Sequence, residues 1–214
     1  DWTWYATGPG AGIQLEKGKH AGRLVIPCDH KLQINGDRSF RSHVIYSDDH
    51  GKTWELGGIA PKPMVNECEV VELSDGRLLL NMRNYDKDTR ARQVCFSDDG
   101  GLTWHDQRHD KQLIEPICQA SIRRYSWPGK KEDGVILFSN PASTSRRDKL
   151  TVRASYDDGQ TWKHSKLIYI GGSAYSCLVI LGDQTIGNLY EKDGYKQIVF
   201  ARFGLGWIQS STRK

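Results

Sequence analysis

One eight-residue phrase occurs three times in this chain, and it constrains the fold more than any other feature of the sequence. The pattern S-x-D-x-G-x-T-W reads SDDHGKTW at 47–54, SDDGGLTW at 97–104 and SYDDGQTW at 155–162. Consecutive copies therefore begin 50 and 58 residues apart. Repeats of about 40 to 50 residues, lengthened by insertions, are typical of the blades of a β-propeller.

The residue types within the phrase favour a structural role in a hairpin turn. Ser and Asp side chains bond nearby backbone N–H groups, Gly adopts positive φ, and Trp buries its ring against the sheet. We therefore predict that the three turns are scaffold. Trp54, Trp104 and Trp162 are accordingly expected to be core residues rather than sugar platforms.

Short runs of β-forming residues lie around the repeats, separated by Gly, Asp, Asn and Pro. They are RLVIPC, SHVIYS, CEVVEL, RLLLNM, RQVCFS, GVILFS, KLTVRAS, CLVIL and QIVFAR. Without a window of helical period between them, these runs indicate an all-β antiparallel meander. We predict that residues 1–214 form about four blades of a β-propeller. Because an open propeller exposes sheet edges, we also expect an N-terminal remainder to complete the ring.

Composition excludes several classes of function. A net charge of +4, from 30 basic and 26 acidic residues, is too small to indicate a nucleic-acid partner. No apolar run in the sequence approaches the roughly 20 residues of a membrane span. Five cysteines without metal-binding spacing predict mainly buried free thiols, with room for one disulfide, and no metal site.

The segment NECEVVELSDGRLLLNMRN predicts a hairpin with a polar pair at its open end. If the turn lies at 74–76 and Leu73 pairs with Arg77, the antiparallel register sets Glu67 across from Arg83. A carboxylate and a guanidinium would then meet far from the turn.

The same arithmetic applies to AYSCLVILGDQTIGNLYE. A turn at 182–184 sets Tyr175 across from Glu191. Arg147 precedes the strand KLTVRAS, whose other end runs into the third repeated turn. All five polar residues of these segments can therefore share the rim opposite the repeated turns.

The residues alone leave a structural alternative open. Glu67 with Arg83 is equally an ordinary cross-strand ion pair, worth about 0.2 to 1 kcal/mol. A single tyrosine such as Tyr175 is usually a core-edge residue. Their convergence on one rim with a second arginine is what favours a site.

The sequence also resembles a known family. The repeated turns are the Asp boxes of the sialidases, and further segments match that family in order along nearly the whole chain. These are GPGAGIQL, GRLVIPCDH, NECEVVEL with NMRN, EPICQASI, FSNPASTSRRDKLTVRAS, and GGSAYSCLVIL with LYEKDG. The chain looks like the last four blades of a six-bladed exo-α-sialidase of bacterial or lysosomal type.

The resemblance implies roles for individual residues. Tyr175 matches the nucleophile and Glu67 the carboxylate that takes its proton. Arg83 and Arg147 match the second and third members of an arginine triad that binds the carboxylate of sialic acid. Glu191 matches the acid that orients the first member of that triad.

Three further residues are expected at the pocket, and one of the arginines has a rival. Arg146 is the rival of Arg147, but the interval after Asn-Pro favours Arg147. Asp29 and His30 are expected to line the pocket near the glycerol tail of the sugar, and Gln119 is expected to face the same cavity.

The family's chemistry explains these residue types. Sialidases with a tyrosine nucleophile are an exception to the two-carboxylate scheme of glycosidases. The anomeric carbon of sialic acid bears a carboxylate, which repels an anionic nucleophile but not a neutral phenol. A phenol with a pKa of about 10 needs a base within about 2.6 to 3.2 Å, and arginine suits a carboxylate because its fork binds in a bidentate way.

Two family features have no match in this sequence. The first triad arginine, in an R-I-P phrase, and the acid/base aspartate that follows it belong to earlier blades. The implied function is a retaining exo-α-sialidase that acts on sialylated glycoconjugates, uses no cofactor and is incomplete in this chain alone. Transfer of sialate to another sugar or intramolecular attack remains open, and so does the compartment, which is secreted, periplasmic or lysosomal in the family.

Two alternatives belong to other classes. A non-catalytic Asp-box propeller that binds glycans or proteins would share the turns and would explain the missing acid/base. An endo-acting glycosidase on neutral polysaccharide would carry paired aspartates and aromatic platforms, and the arginines argue against it.

Overall fold

The computed structural model describes residues 2–34, 37–130 and 133–210, and within these ranges the protein is built almost entirely of β-strands. The strands are β1 (Trp2–Thr7), β2 (Ile13–Gln14), β3 (Leu24–Ile34), β4 (Asp37–Ser47), β5 (Glu55–Ile59), β6 (Val65–Glu72), β7 (Leu78–Asn84), β8 (Ala91–Ser97), β9 (His105–Ile114), β10 (Ser121–Ser126), β11 (Val135–Pro141), β12 (Asp148–Ser155), β13 (His164–Ile180), β14 (Ile186–Lys192) and β15 (Gln197–Phe203). One short helix, α1 (Leu205–Gln209), follows the last strand. Among the described residues, no helix is both long enough and apolar enough to cross a membrane.

Sequential antiparallel pairing groups the strands into four blades of a β-propeller. The first blade contains β1 to β5, with both β1 and β2 paired to β3, and the second contains β6 to β9. The third contains β10, β11, β12 and the beginning of β13, and the fourth contains the end of β13 with β14 and β15. The predicted all-β propeller of about four blades is confirmed.

Strand β13 belongs to two blades. Its first half pairs with β12 from His164 to Gly172, and its second half pairs with β14 from Ser173 to Ile180. The predicted strands included only the second half, as CLVIL, although the first half also contains the apolar run LIYI at 167–170. The continuous strand places Tyr175 directly after the point where the chain passes from one blade to the next.

The two hairpins have the predicted registers. The β6–β7 ladder pairs Cys68 with Met82 through to Glu72 with Leu78, and Leu73 donates to the carbonyl of Arg77. The regular part of the β13–β14 ladder begins at Ser176, which pairs with Tyr190. In both hairpins the regular pairing breaks just beyond these first pairs, at the end where the predicted polar residues lie.

Each repeated phrase forms the same hydrogen-bonded turn. In the first copy, the Ser47 hydroxyl bonds to Asp49 and accepts from the backbone N–H of Gly51, which has a φ of 84°. Asp49 also accepts from both the backbone N–H and the hydroxyl of Thr53. Equivalent bonds centre on Asp99 and Asp157 in the other copies.

The prediction for the three tryptophans is wrong at Trp54. Trp104 and Trp162 are buried and donate to the preceding blade, through Nε1 to the carbonyl of Gly58 and to Asp110 respectively. Trp54 is 41% exposed. It lies in the first blade, where the described residues provide no preceding blade for it to contact.

Hydrophobic cores lie between successive blades. Successive side chains of a strand point to opposite faces of its blade, and each face packs against a different neighbouring blade. In β6, for example, Val70 packs against the first blade and Val71 against the third. The outward face of the fourth blade is apolar and exposed at Val179, Leu189, Ile198 and Phe200. All five cysteines are free, and every one except Cys177 is buried.

Candidate active site

The hydroxyl of Tyr175 donates a short hydrogen bond to Oε1 of Glu67, and this contact joins the fourth blade to the second. The other carboxylate oxygen of Glu67 accepts from Nη1 of Arg83 at 2.6 Å. The same Nη1 lies 3.2 Å from the Tyr175 hydroxyl oxygen. Phenol, carboxylate and guanidinium therefore form one closed triangle, half-buried at the rim away from the turns.

Local strand irregularity makes this triangle possible. Glu67 lies in β6 where the pairing with β7 shifts between Val65 and Cys68. Tyr175 lies in β13 where the pairing with β14 shifts between Ser173 and Ser176. Irregular ladders re-aim side chains near functional sites.

The triangle holds its phenol protonated in the resting state. Burial and then the hydrogen bond to Glu67 raise the pKa of Tyr175 well above its ordinary value. Burial alone would lower the pKa of Arg83, but the bond and charge of Glu67 outweigh burial and raise it. A neutral phenol in contact with a carboxylate can act as a nucleophile whose proton passes to that carboxylate as attack proceeds.

Arg147 brings a second guanidinium to the same place. Its Cζ lies 5.8 Å from the centroid of the Tyr175 ring. Its terminal nitrogens donate to the hydroxyl of Tyr195 at 2.9 Å and to the carbonyl of Ile117 at 3.0 Å. The rival Arg146 points elsewhere, since its side chain is 80% exposed and pairs with Asp148.

Glu191 lies beside the nucleophile candidate as the register predicted. Its Oε2 accepts the backbone N–H of Tyr175 at 2.9 Å. The carboxylate thereby satisfies a backbone group that the broken ladder leaves unpaired. Among the described residues it contacts no guanidinium.

Gln119 supports the same strand from the third blade. Its side-chain amide is buried and pairs with both backbone groups of Ser176, at 2.9 and 3.0 Å. It also borders a cavity of about 150 Å³ beside Tyr175 and Glu191. With both ends of its amide engaged, Gln119 fixes the residue that follows Tyr175.

Asp29 faces the triangle from the first blade. It pairs with Ser42, whose hydroxyl donates to the carbonyl of Asn66, the residue before Glu67. The carboxyl is fully buried, and neither oxygen has a protein partner within the described residues. Burial and the Glu67 charge raise the pKa of Asp29 to about 7, while Arg83 lowers it.

His30 lies on the opposite face of the same strand, because successive side chains of a strand alternate. Its ring stacks on Trp2 at 3.8 Å, and its Nδ1 lies 2.9 Å from Nδ1 of His43. Burial and the Arg41 charge lower the pKa of His30 to about 4. The structure therefore corrects the expectation that Asp29 and His30 line one pocket, and it does not bring His30 to Tyr175.

Sequence reasoning missed Tyr195 and Ile117, which orient Arg147. The turn after NLYEK lies at the same end of its hairpin as Glu191, so register arithmetic could have placed Tyr195 at this rim. Ile117 offered no such signal, because it acts through its backbone carbonyl.

Other concave regions of the described chain lie away from these residues. One of them has a volume of about 420 Å³ and lies between the second and third blades beside Trp162. It contains none of the predicted site residues. The described residues contain no group of three or more His, Cys, Asp or Glu arranged to hold a metal ion.

Comparison with known proteins gives a consistent picture. Residues 1–190 match the model of the BNR repeat-like domain. The chain is 42% identical over 203 residues to the sialidase of Micromonospora viridifaciens, covering 93% of this chain and 30% of that protein. It is 30% identical over 222 residues to Sialidase-2 of Cricetulus griseus, covering 96% of this chain and 57% of that protein.

A solved structure shows the same architecture. The Hadza microbial sialidase Hz136 superposes with a TM-score of 0.83 at 36% identity, over 97% of this chain and 39% of that one. The chain thus spans between about a third and somewhat more than half of the length of these three proteins.

Proposed function

Because the chain belongs to the family of BNR repeat-like, Asp-box domains and its relatives are sialidases, we propose that it carries the nucleophile half of a retaining exo-α-sialidase active site. The observation that carries the proposal is the bond from the Tyr175 hydroxyl to Glu67. The substrate class is a glycoconjugate with a terminal sialic acid.

In this proposal the oxygen of Tyr175 attacks the anomeric carbon of sialic acid while its proton passes to Glu67. The bond to the leaving oxygen breaks, and a tyrosyl-sialoside forms. Water then attacks the same carbon and gives up a proton to the group that protonated the leaving oxygen, the bond to the Tyr175 oxygen breaks, and the phenol regains a proton from Glu67. Two displacements on opposite faces return the original α-configuration.

The two arginines bind the substrate carboxylate. Arg83 is held by Glu67, and Arg147 is held above the Tyr175 ring, so both positive charges lie beside the nucleophile. Arginine forks bind a carboxylate through paired, charge-assisted hydrogen bonds. Glu191 is positioned to orient a further arginine as well as the backbone of Tyr175.

The proposed reaction needs groups beyond the described residues. Protonation of the leaving oxygen and a first triad arginine are assigned to an N-terminal remainder of the propeller. That remainder would also cover the exposed face of the fourth blade. We expect the 214-residue chain alone to be inactive or nearly so.

The test is a Tyr175→Phe variant of the full-length protein, assayed on a fluorogenic aryl α-sialoside. We expect kcat to fall on the order of 100-fold or more while sialic acid still binds, because only the nucleophilic oxygen is lost. Tyr125→Phe is the matched control, since the Tyr125 hydroxyl bonds to Gln184 at the other rim. Proton NMR of the first product should show the α-anomer.

Each other outcome is informative. Unchanged turnover by Tyr175→Phe would refute the nucleophile assignment. A β-anomer as first product would refute the retaining route. Glycan binding without turnover in the unmodified full-length protein would support the non-catalytic propeller instead.

A further inference from the structure

The turn between β14 and β15 is strained. Asp193, Gly194 and Tyr195 have φ values of 52°, 66° and 70°, so three consecutive residues adopt the left-handed region. Glycine accepts this conformation freely, but for a bulky residue such as Tyr195 it is a genuine outlier. Strained backbone of this kind persists where the surroundings fix it and tends to cluster at functional sites.

The surroundings of this turn do fix it. The backbone N–H of Asp193 donates to the carbonyl of Gly172 at 2.8 Å. The hydroxyl of Tyr169 donates to the Asp193 carboxylate at 2.6 Å. The turn is thus tied to β13 just before the crossover that leads to Tyr175.

The strained conformation presents the hydroxyl of Tyr195 to Arg147. Tyr195 accepts a hydrogen bond from Nη1, and the carbonyl of Ile117 accepts one from Nη2. A guanidinium has two N–H bonds on each terminal nitrogen. Two N–H bonds of the fork therefore remain available to a ligand while the fork itself is held at both ends.

Both of these partners are uncharged, and this distinguishes Arg147 from Arg83. Arg83 forms an ion pair with Glu67, whereas Arg147 has no carboxylate partner among the described residues. A phenol and a carbonyl orient the guanidinium without neutralising it. Its positive charge is consequently left for an anionic ligand.

Tyr195 is also able to contact that ligand directly. The side chain is 60% exposed, and its oxygen is the acceptor of the Arg147 bond. Within the part of the chain that the structure describes, no acceptor takes the phenolic proton of Tyr195. That O–H can therefore donate to an anion bound by Arg147.

We propose that Tyr195 is a further substrate-binding residue, which orients Arg147 and donates its own O–H to the sialic acid carboxylate that Arg147 binds. The inference rests on the proposed function. On this proposal, a residue of the β14–β15 turn shares with the arginines the recognition of the substrate carboxylate.

The experiment compares Tyr195→Phe with Tyr169→Phe in the full-length protein, with steady-state kinetics on a fluorogenic α-sialoside. Both variants remove one phenolic oxygen that bonds at the same turn, but only Tyr195 contacts Arg147. We expect Tyr195→Phe to raise KM about tenfold and to change kcat by less than about twofold, because a uniform binding contact is lost. Tyr169→Phe should leave KM within about twofold while it lowers the midpoint of thermal unfolding.

Three results would overturn the proposal. The first is a KM within twofold of the parent in Tyr195→Phe. The second is a parallel fall in kcat, which would indicate disturbance of Tyr175 rather than lost binding. The third is an equal rise of KM in Tyr169→Phe, which would assign the effect to the turn. If the parent itself does not hydrolyse the sialoside, the proposed function has failed, and this outcome is distinct from the other three.

Discussion

Replacement of Asp29 by asparagine should change the pH dependence of stability. The buried carboxyl has a pKa of about 7 in the folded protein against an ordinary value of 3.8. Between these two pH values the folded state holds a proton that the unfolded state has lost. The free energy of unfolding therefore decreases as pH rises through this window.

The size of the effect follows from linkage. Each pH unit within the window is worth about 1.4 kcal/mol, so the full interval of about three units corresponds to at most about 4 kcal/mol. Between pH 5 and pH 8 the expected loss attributable to Asp29 is about 3 kcal/mol. An amide side chain at this position cannot ionise, so the variant should lack this contribution.

The assay is urea unfolding of the parent and of Asp29→Asn at pH 5 and pH 8. At each pH, the free energy of unfolding of the parent is subtracted from that of the variant. Comparing this difference at pH 5 and pH 8 cancels the contribution of the titrating groups that the two proteins share. We expect the variant to gain about 3 kcal/mol relative to the parent between the two pH values. Asp88→Asn, at an exposed loop carboxylate, is the control and should show no such change. If the free energy of unfolding of Asp29→Asn differs from that of the parent by the same amount at both pH values, the reasoning is refuted.

Two further predictions distinguish the scaffold from the site. Asp157→Ala removes the acceptor of three hydrogen bonds in the third repeated turn, and should lower the free energy of unfolding by about 1 to 3 kcal/mol in urea titrations. Since this turn lies at the other rim, activity per folded molecule should persist, and lost turnover at unchanged stability would contradict the scaffold role. Arg147→Ala should raise KM for a sialoside about 100-fold or more, whereas Arg146→Ala should leave it within about twofold, because only Arg147 lies over Tyr175. The reverse result would exchange the two assignments.

Hairpin register was predictable because each turn fixes it. Leu73 paired with Arg77, and Leu181 with Thr185, as the Gly- and Asp-containing turns required. The period of two then carried the pairing along both strands to the rim. The breaks in the ladders at the far ends were not predictable, since no Gly or Pro marks them at Asn66 or Ala174.

Other features escaped because their sequence pattern is ambiguous. Strand β9 reads HDQRHDKQLI and forms the outer strand of a blade. It was not predicted because most of its residues are polar. The run RLVIPC predicted a strand that ends at Cys28, whereas β3 continues to Ile34, so the alternation that points Asp29 and His30 in opposite directions was not applied to them. Arg92 is fully buried against Glu115. Burial of such a pair depends on contacts between strands distant in sequence.

The sharing of β13 between two sheets limits how this protein can be divided. A strand that is the last strand of one sheet and continues as the first strand of the next cannot be cut without leaving both fragments with an incomplete sheet. Residues 60–64, which connect the first and second sheets and are mostly exposed, are a place where the chain could be split into complementing pieces. A cut at Gly172 should instead abolish reassembly, and with it the alignment of Tyr175 opposite Glu67.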